Sequence, residues 1–79
     1  MSKRSENEKK FPEWEETLEG RRYYLTVKGR SGWTARYVKE VDKNEVTLRF
    51  YQEIYDSNGV LVEIHNKYPL DEGHRKVEG

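Results

Sequence analysis

The sequence predicts a mainly β domain, a single antiparallel meander of four or five strands. An α+β variant arises if the N-terminal segment is helical. Three observations carry this prediction. Four runs between residues 22 and 67 alternate apolar with polar residues, the period of a sheet buried on one face. The stretches between them are rich in Gly, Asn, Asp and Ser, the residues of tight turns. The apolar content is weighted to rings, with six Tyr, two Trp and two Phe, which favour strands.

Residues 1–10 (MSKRSENEKK) hold no apolar residue after the initiator and are expected to be a disordered tail. Residues 11–19 read in two ways. Phe11, Trp14 and Leu18 have helical spacing behind Pro12, with Gly20 as a C-terminal cap. Equally, residues 14–18 suit an edge strand, and the strand is preferred because so short a helix nucleates poorly. In either form Phe11, Trp14 and Leu18 should cover part of the sheet's apolar face. Strands follow at residues 22–28, 33–41, 46–55 and 60–67. The Asp56-Ser57-Asn58-Gly59 loop suits a three-residue hairpin with Gly59 left-handed. Residues 11–70 thus form one small domain, and residues 71–79 a polar C-terminal tail, with Tyr68, Leu70 and Val77 free to pack back on the core.

Composition sets limits on function. The chain of 79 residues is 38% charged with a net charge of zero, so any basic surface is local rather than global. With no cysteine, neither a disulfide framework nor a thiolate zinc site can form. No stretch approaches the roughly 18 apolar residues of a membrane helix, and the N-terminus lacks the apolar run of a signal peptide. The expectation is a soluble, cytoplasmic protein that needs no cofactor and does not engage a membrane. At this size a lone core is marginal, so association with a protein partner or a second copy is expected.

Matching apolar to apolar, hairpin by hairpin, pairs Tyr23 with Tyr37, Tyr37 with Phe50 and Ile54 with Val62. One face then collects Tyr23, Leu25, Val27, Trp33, Ala35, Tyr37, Val41, Val46, Leu48, Phe50, Ile54, Val62 and Ile64. The opposite face falls into rows of Tyr24, Arg36, Tyr51 and His65, of Thr26, Thr34, Glu53 and Glu63, and of Arg22, Val38, Arg49 and Lys67. Glu53 directly opposite Glu63 would be a destabilising pair unless a cation or a shared proton lay between them. That conflict makes this face the candidate site.

Its bland reading is a solvated sheet laced with cross-strand ion pairs. A catalytic reading assigns acid–base work to His65 with Glu53 or Glu63, and an anionic phosphoryl group to Arg36 beside Tyr51. A nucleic-acid reading uses Arg22, Tyr24, Arg36, Arg49, Tyr51 and Lys67, cations interleaved with rings that stack on bases. A metal site from His65, His74, Glu63 and Asp71 lacks recognised spacing, and none is assigned.

Over YQEIYDSNGVLVEIHNKYPLDEGHRKV the chain resembles a group of small uncharacterised prokaryotic proteins. They share a strand, a D-x-N/D-G turn, a strand bearing Glu63-Ile64-His65, then Lys67-Tyr68-Pro69 and Gly73-His74-Arg75. The last strand and His-bearing tail also resemble the TumE-type component of bacterial toxin–antitoxin pairs. This tail has one histidine where that family has a cluster, so no catalytic residue is carried over. The leading expectation is a non-enzymatic protein-interaction module. Single-stranded RNA binding through the Arg/Tyr face and a metal-independent, toxin-type ribonuclease are the alternatives.

Overall fold

In a computed structural model that describes residues 3–70 and 73–77, the side chains of 73–75 excepted, a helix precedes one sheet. Helix α1 spans Lys3–Lys10. Strands β1 (Glu13–Glu16), β2 (Gly20–Lys28), β3 (Thr34–Asp42), β4 (Thr47–Tyr55), β5 (Leu61–Tyr68) and β6 (Gly73–Lys76) follow, with a 3-10 turn at Arg30–Gly32. The strands lie in sequence order, each antiparallel to the next. The expected mainly β antiparallel meander is the fold. It extends at its far edge into Gly73–Lys76, part of the stretch expected as a polar tail, and the described residues 73–76 form a strand there.

The N-terminal segment departs from expectation. Residues 3–10, expected to be disordered, are helical. Glu6 precedes Lys10 by one turn, and Lys9 and Lys10 sit at the end where the helix dipole favours cations. Such pairs add only tenths of a kcal/mol, so docking decides the matter. Asn7 is buried, donating to Glu45 Oε1 (3.4 Å) and accepting from Lys39 Nζ (2.8 Å). Glu8 meets Arg21 at 2.9 Å. Polar anchors therefore order a segment that has no apolar face. The preferred edge strand after it does form, one residue early, at Glu13–Glu16. Phe11 reaches the core and the Trp14 ring lies 6.1 Å from that of Tyr23, as expected, but Leu18 is 98% exposed at the apex of the following turn. At Gly20 the neighbouring strand comes so close that an added Cβ would lie 2.3 Å from the Val41 carbonyl oxygen.

Two hairpins use one loop design. In Asp56-Ser57-Asn58-Gly59-Val60 the Asp56 and Val60 backbones bond at 2.9 Å, and Asp56 Oδ1 accepts from the Asn58 and Val60 amides. Gly59 is left-handed at φ +78°, as expected. The Asp42-Lys43-Asn44-Glu45-Val46 loop repeats every one of these bonds, with Glu45 at φ +64° in the glycine position. An L-residue there costs about 1–2 kcal/mol.

The register differs from expectation in two ways. Leu25 opposes Tyr37, and Ala35 opposes Ile54, a slip of two that keeps every side chain on its face. Between β4 and β5 the slip is one. Tyr55 pairs with Leu61 but Ile54 pairs with Glu63, so Val62 is an extra residue, a bulge. Beyond it Glu53 opposes Ile64 and Gln52 opposes His65. Ile64 therefore leaves the expected core face, while Glu63 and His65 join it.

The core is small and lies at one end of that face. Phe11, Tyr23 and Val41 are buried, with Leu25, Tyr37 and Phe50 packed against them. Val27, Trp33, Val46 and Leu48, expected in the core, are all exposed by more than a third. Val27 and Trp33 lie beyond the end that α1 and Phe11 roof, Val46 borders the open cleft beside α1, and Leu48 is the extra residue of a bulge where Glu40 pairs with Arg49 and Val41 with Thr47. Val38, expected in a polar row, is buried on the other side at 1% exposure.

Candidate functional site

The register assigns each candidate residue to a face. On the face away from the helix, Tyr24, Val38 and Tyr51 form one row across three strands. Arg22, Glu40 and Arg49 form the next, with Glu15 of β1 beside Arg22. Thr26, Arg36, Glu53 and Ile64 form the third. The rows expected from apolar matching are thus replaced by rows in which charge alternates: Glu15, Arg22, Glu40, Arg49.

Those charges satisfy one another. Arg22 donates from Nη1 to Glu15 Oε1 at 2.9 Å and from Nε to Glu40 Oε2 at 3.0 Å. Arg49 lies 3.9 Å from Glu40 Oε1, and Tyr51 OH donates to Glu40 Oε2 at 3.4 Å. The Tyr24 hydroxyl donates to Glu15. That bond and the Arg22 guanidinium hold the Glu15 carboxyl below its usual range. Arg36 stacks 3.9 Å from the Tyr24 ring centroid and Arg49 4.7 Å from that of Tyr51. Together rings and guanidinium stems roof Val38, a use of arginine as packing material. Burial, then Glu40 and Glu53, pushes the Tyr51 hydroxyl up to about 12.

Five of the six nucleic-acid candidates, Arg22, Tyr24, Arg36, Arg49 and Tyr51, therefore share this face. Lys67 does not: its Nζ sits 5.2 Å from the Tyr37 ring and 5.9 Å from that of Phe50, on the helix side. The catalytic candidates are divided. Arg36, Tyr51 and Glu53 lie on the outer face, whereas the bulge sends Glu63 and His65 to the helix side. The facing Glu53–Glu63 pair does not exist, and the cluster that it suggested is not assembled. Asp71 and the His74 side chain lie outside the described residues. Among the described residues no group of three or more His, Asp or Glu side chains converges as metal ligands would.

The helix side carries a polar network that the sequence reading missed. Glu45, 8% exposed, accepts hydrogen bonds from the Tyr23 hydroxyl and from Asn7, with Arg4 Nε 3.9 Å from its other oxygen. Desolvation first, and the Glu45 bond second, raise the Tyr23 hydroxyl to about 12. Arg21, also buried, bonds Glu8 and Glu16 and lies over the Trp14 and Tyr23 rings at 5.2 and 5.5 Å. The signal available in the sequence was the loop pair itself: a glutamate stands where the twin loop has its glycine. Further along the same face Gln52 donates to the Tyr37 hydroxyl at 3.2 Å.

Comparison with protein-family models, with curated proteins and with solved structures finds no match to this chain.

Proposed function

We propose that the chain is a non-enzymatic protein-interaction module whose first partner is a second copy of itself. The observation that carries this reading is the half-roofed sheet. Its row of Val27, Ala35 and Ile54 continues the apolar face beyond the reach of α1 and Phe11, and Val27 is 45% exposed. A 79-residue chain with so few buried side chains gains from covering this surface, and a net charge of zero opposes no approach of like copies. A two-fold contact between two such faces would bury both strips at once.

Sedimentation equilibrium from micromolar to near-millimolar concentration tests it. Wild type should pass from monomer to dimer, and Ile54→Glu should stay monomeric while keeping its β circular dichroism. A wild type that remains monomeric throughout sinks the self-association reading.

Single-stranded RNA contact is the second reading, favoured by the Arg36–Tyr24 and Arg49–Tyr51 stacks. It is weakened by Glu13, Glu15, Glu40 and Glu53 on the same face, two of which already hold Arg22. Binding that weakens steeply with salt and is lost in Arg36→Ala would support it. A catalytic reading has no assembled cluster to rest on.

A further inference from the structure

Between α1 and the Asp42–Val46 loop lies a cleft of about 620 Å³, within the range of small-molecule sites. Phe11, Val46, Phe50 and Tyr68 supply apolar walls, and the Phe11 and Phe50 rings meet edge to face with centroids 6.4 Å apart. Lys3, Lys10 and Lys39 stand around it with Glu6, Asn7, Thr47 and the buried Glu45.

The charges at this cleft are not balanced as those on the outer face are. Glu45 Oε1 accepts from Tyr23 and Asn7, while its buried Oε2 has only Arg4 Nε, 3.9 Å away. Among the described residues Lys3, Lys10 and Lys39 enter no ion pair within 4.0 Å. Lys39 has only the neutral Asn7 oxygen, at 2.8 Å. Its ammonium is held below the usual lysine range by burial and then by the neighbouring Lys10, against a weaker opposite pull from Glu45 and Glu6. Two amines that repel one another beside an aromatic wall would both be relieved by one anion.

We infer that the cleft binds an amphipathic monoanion of the aromatic carboxylate class. The planar apolar body lies against Phe11, Phe50 and Val46, and the carboxylate sits between Lys10 and Lys39. This site is separate from the association surface: Phe50 and Lys39 lie two ladder rows from Ile54 and Ala35.

The test uses the wild-type chain with naphthalene-2-carboxylate and its neutral counterpart 2-naphthamide, followed by calorimetry and amide chemical-shift mapping. The carboxylate should bind saturably and at least about tenfold more tightly than the amide, about 1.4 kcal/mol. Its shifts should centre on Asn7, Phe11, Lys39, Val46 and Phe50. The exposed substitution Lys10→Gln should weaken the carboxylate several-fold and leave the amide unchanged; Lys39→Gln should do the same. Equal affinity for acid and amide overturns the inference. So does the absence of saturable binding, or a set of shifts centred on Val27 and Ile54.

Discussion

Val38 and Val46 are the same residue type with opposite fates, and neither fate follows from hydrophobicity. Val46 sits at the end of a hairpin loop and is 47% exposed, whereas Val38 is closed off by the rings of its row neighbours Tyr24 and Tyr51 and by arginine stems. Val38→Ala should therefore cost about 2 kcal/mol in urea denaturation, for two methylenes' worth of transfer plus the cavity. Val46→Ala should cost under about 0.5 kcal/mol. Equal losses would mean that the polar roof does not exclude water. Alternation read from sequence assigns a residue to a face, and it did so rightly for Tyr23, Tyr37 and Phe50. It says nothing about what covers that face. That depends on the side chains of adjoining rows, and for Val38 these are residues usually counted as polar.

At the scale of the element, the strands were legible and their pairing was not. Runs of alternating residues located β2, β3, β4 and β5, and Gly59 marked its loop. Two of the three expected registers were off by a whole period, which preserves the faces. Charge complementarity, Arg22 with Glu40 and Glu40 with Arg49, would have corrected both. The third failed because one bulge residue, Val62, carries no distinctive sequence signal, yet it exchanges the faces of Glu63 to Asn66, until a second shift returns Tyr68 to the side of Phe50. Its consequence is measurable. Glu53 and Glu63, on opposite faces, should show no coupling: in a Glu53→Gln, Glu63→Gln double-mutant cycle the effects should add within about 0.5 kcal/mol. A larger coupling would restore the facing pair. Helix α1 was illegible for a different reason. Its buried anchor, Asn7, finds its partners Lys39 and Glu45 more than thirty residues away, and Glu8 finds Arg21 thirteen residues on.

For the whole molecule, the buried hydroxyls set the alkaline limit. Tyr23 and Tyr51 keep their protons to about pH 12, while in the unfolded chain they release them near 10. Between these values the unfolded state alone loses protons, so stability falls as pH rises from about 10 to about 12 and is unaffected by these groups below 10. Denaturation midpoints measured across that window should decline, and Tyr23→Phe should decline less steeply than wild type. An unchanged slope would mean that Tyr23 is not shielded by burial and Glu45. Length and composition foretold a small core, and the sheet indeed has one layer with its cover at one end. Which end is covered depends on the α1 docking described above.

The latch of Asn7 onto Glu45 and Lys39 also orders events in time. Every ladder in this meander joins neighbours in sequence, so the sheet can close by short loops and should form quickly. The latch spans 38 and 32 residues, and both of its sheet partners exist only after the β3–β4 hairpin has closed. It therefore belongs to the descent after the folding barrier. In stopped-flow measurements Asn7→Ala should speed unfolding and leave the folding rate nearly unchanged. The helix would then govern how long the folded state lasts, not how fast it is reached.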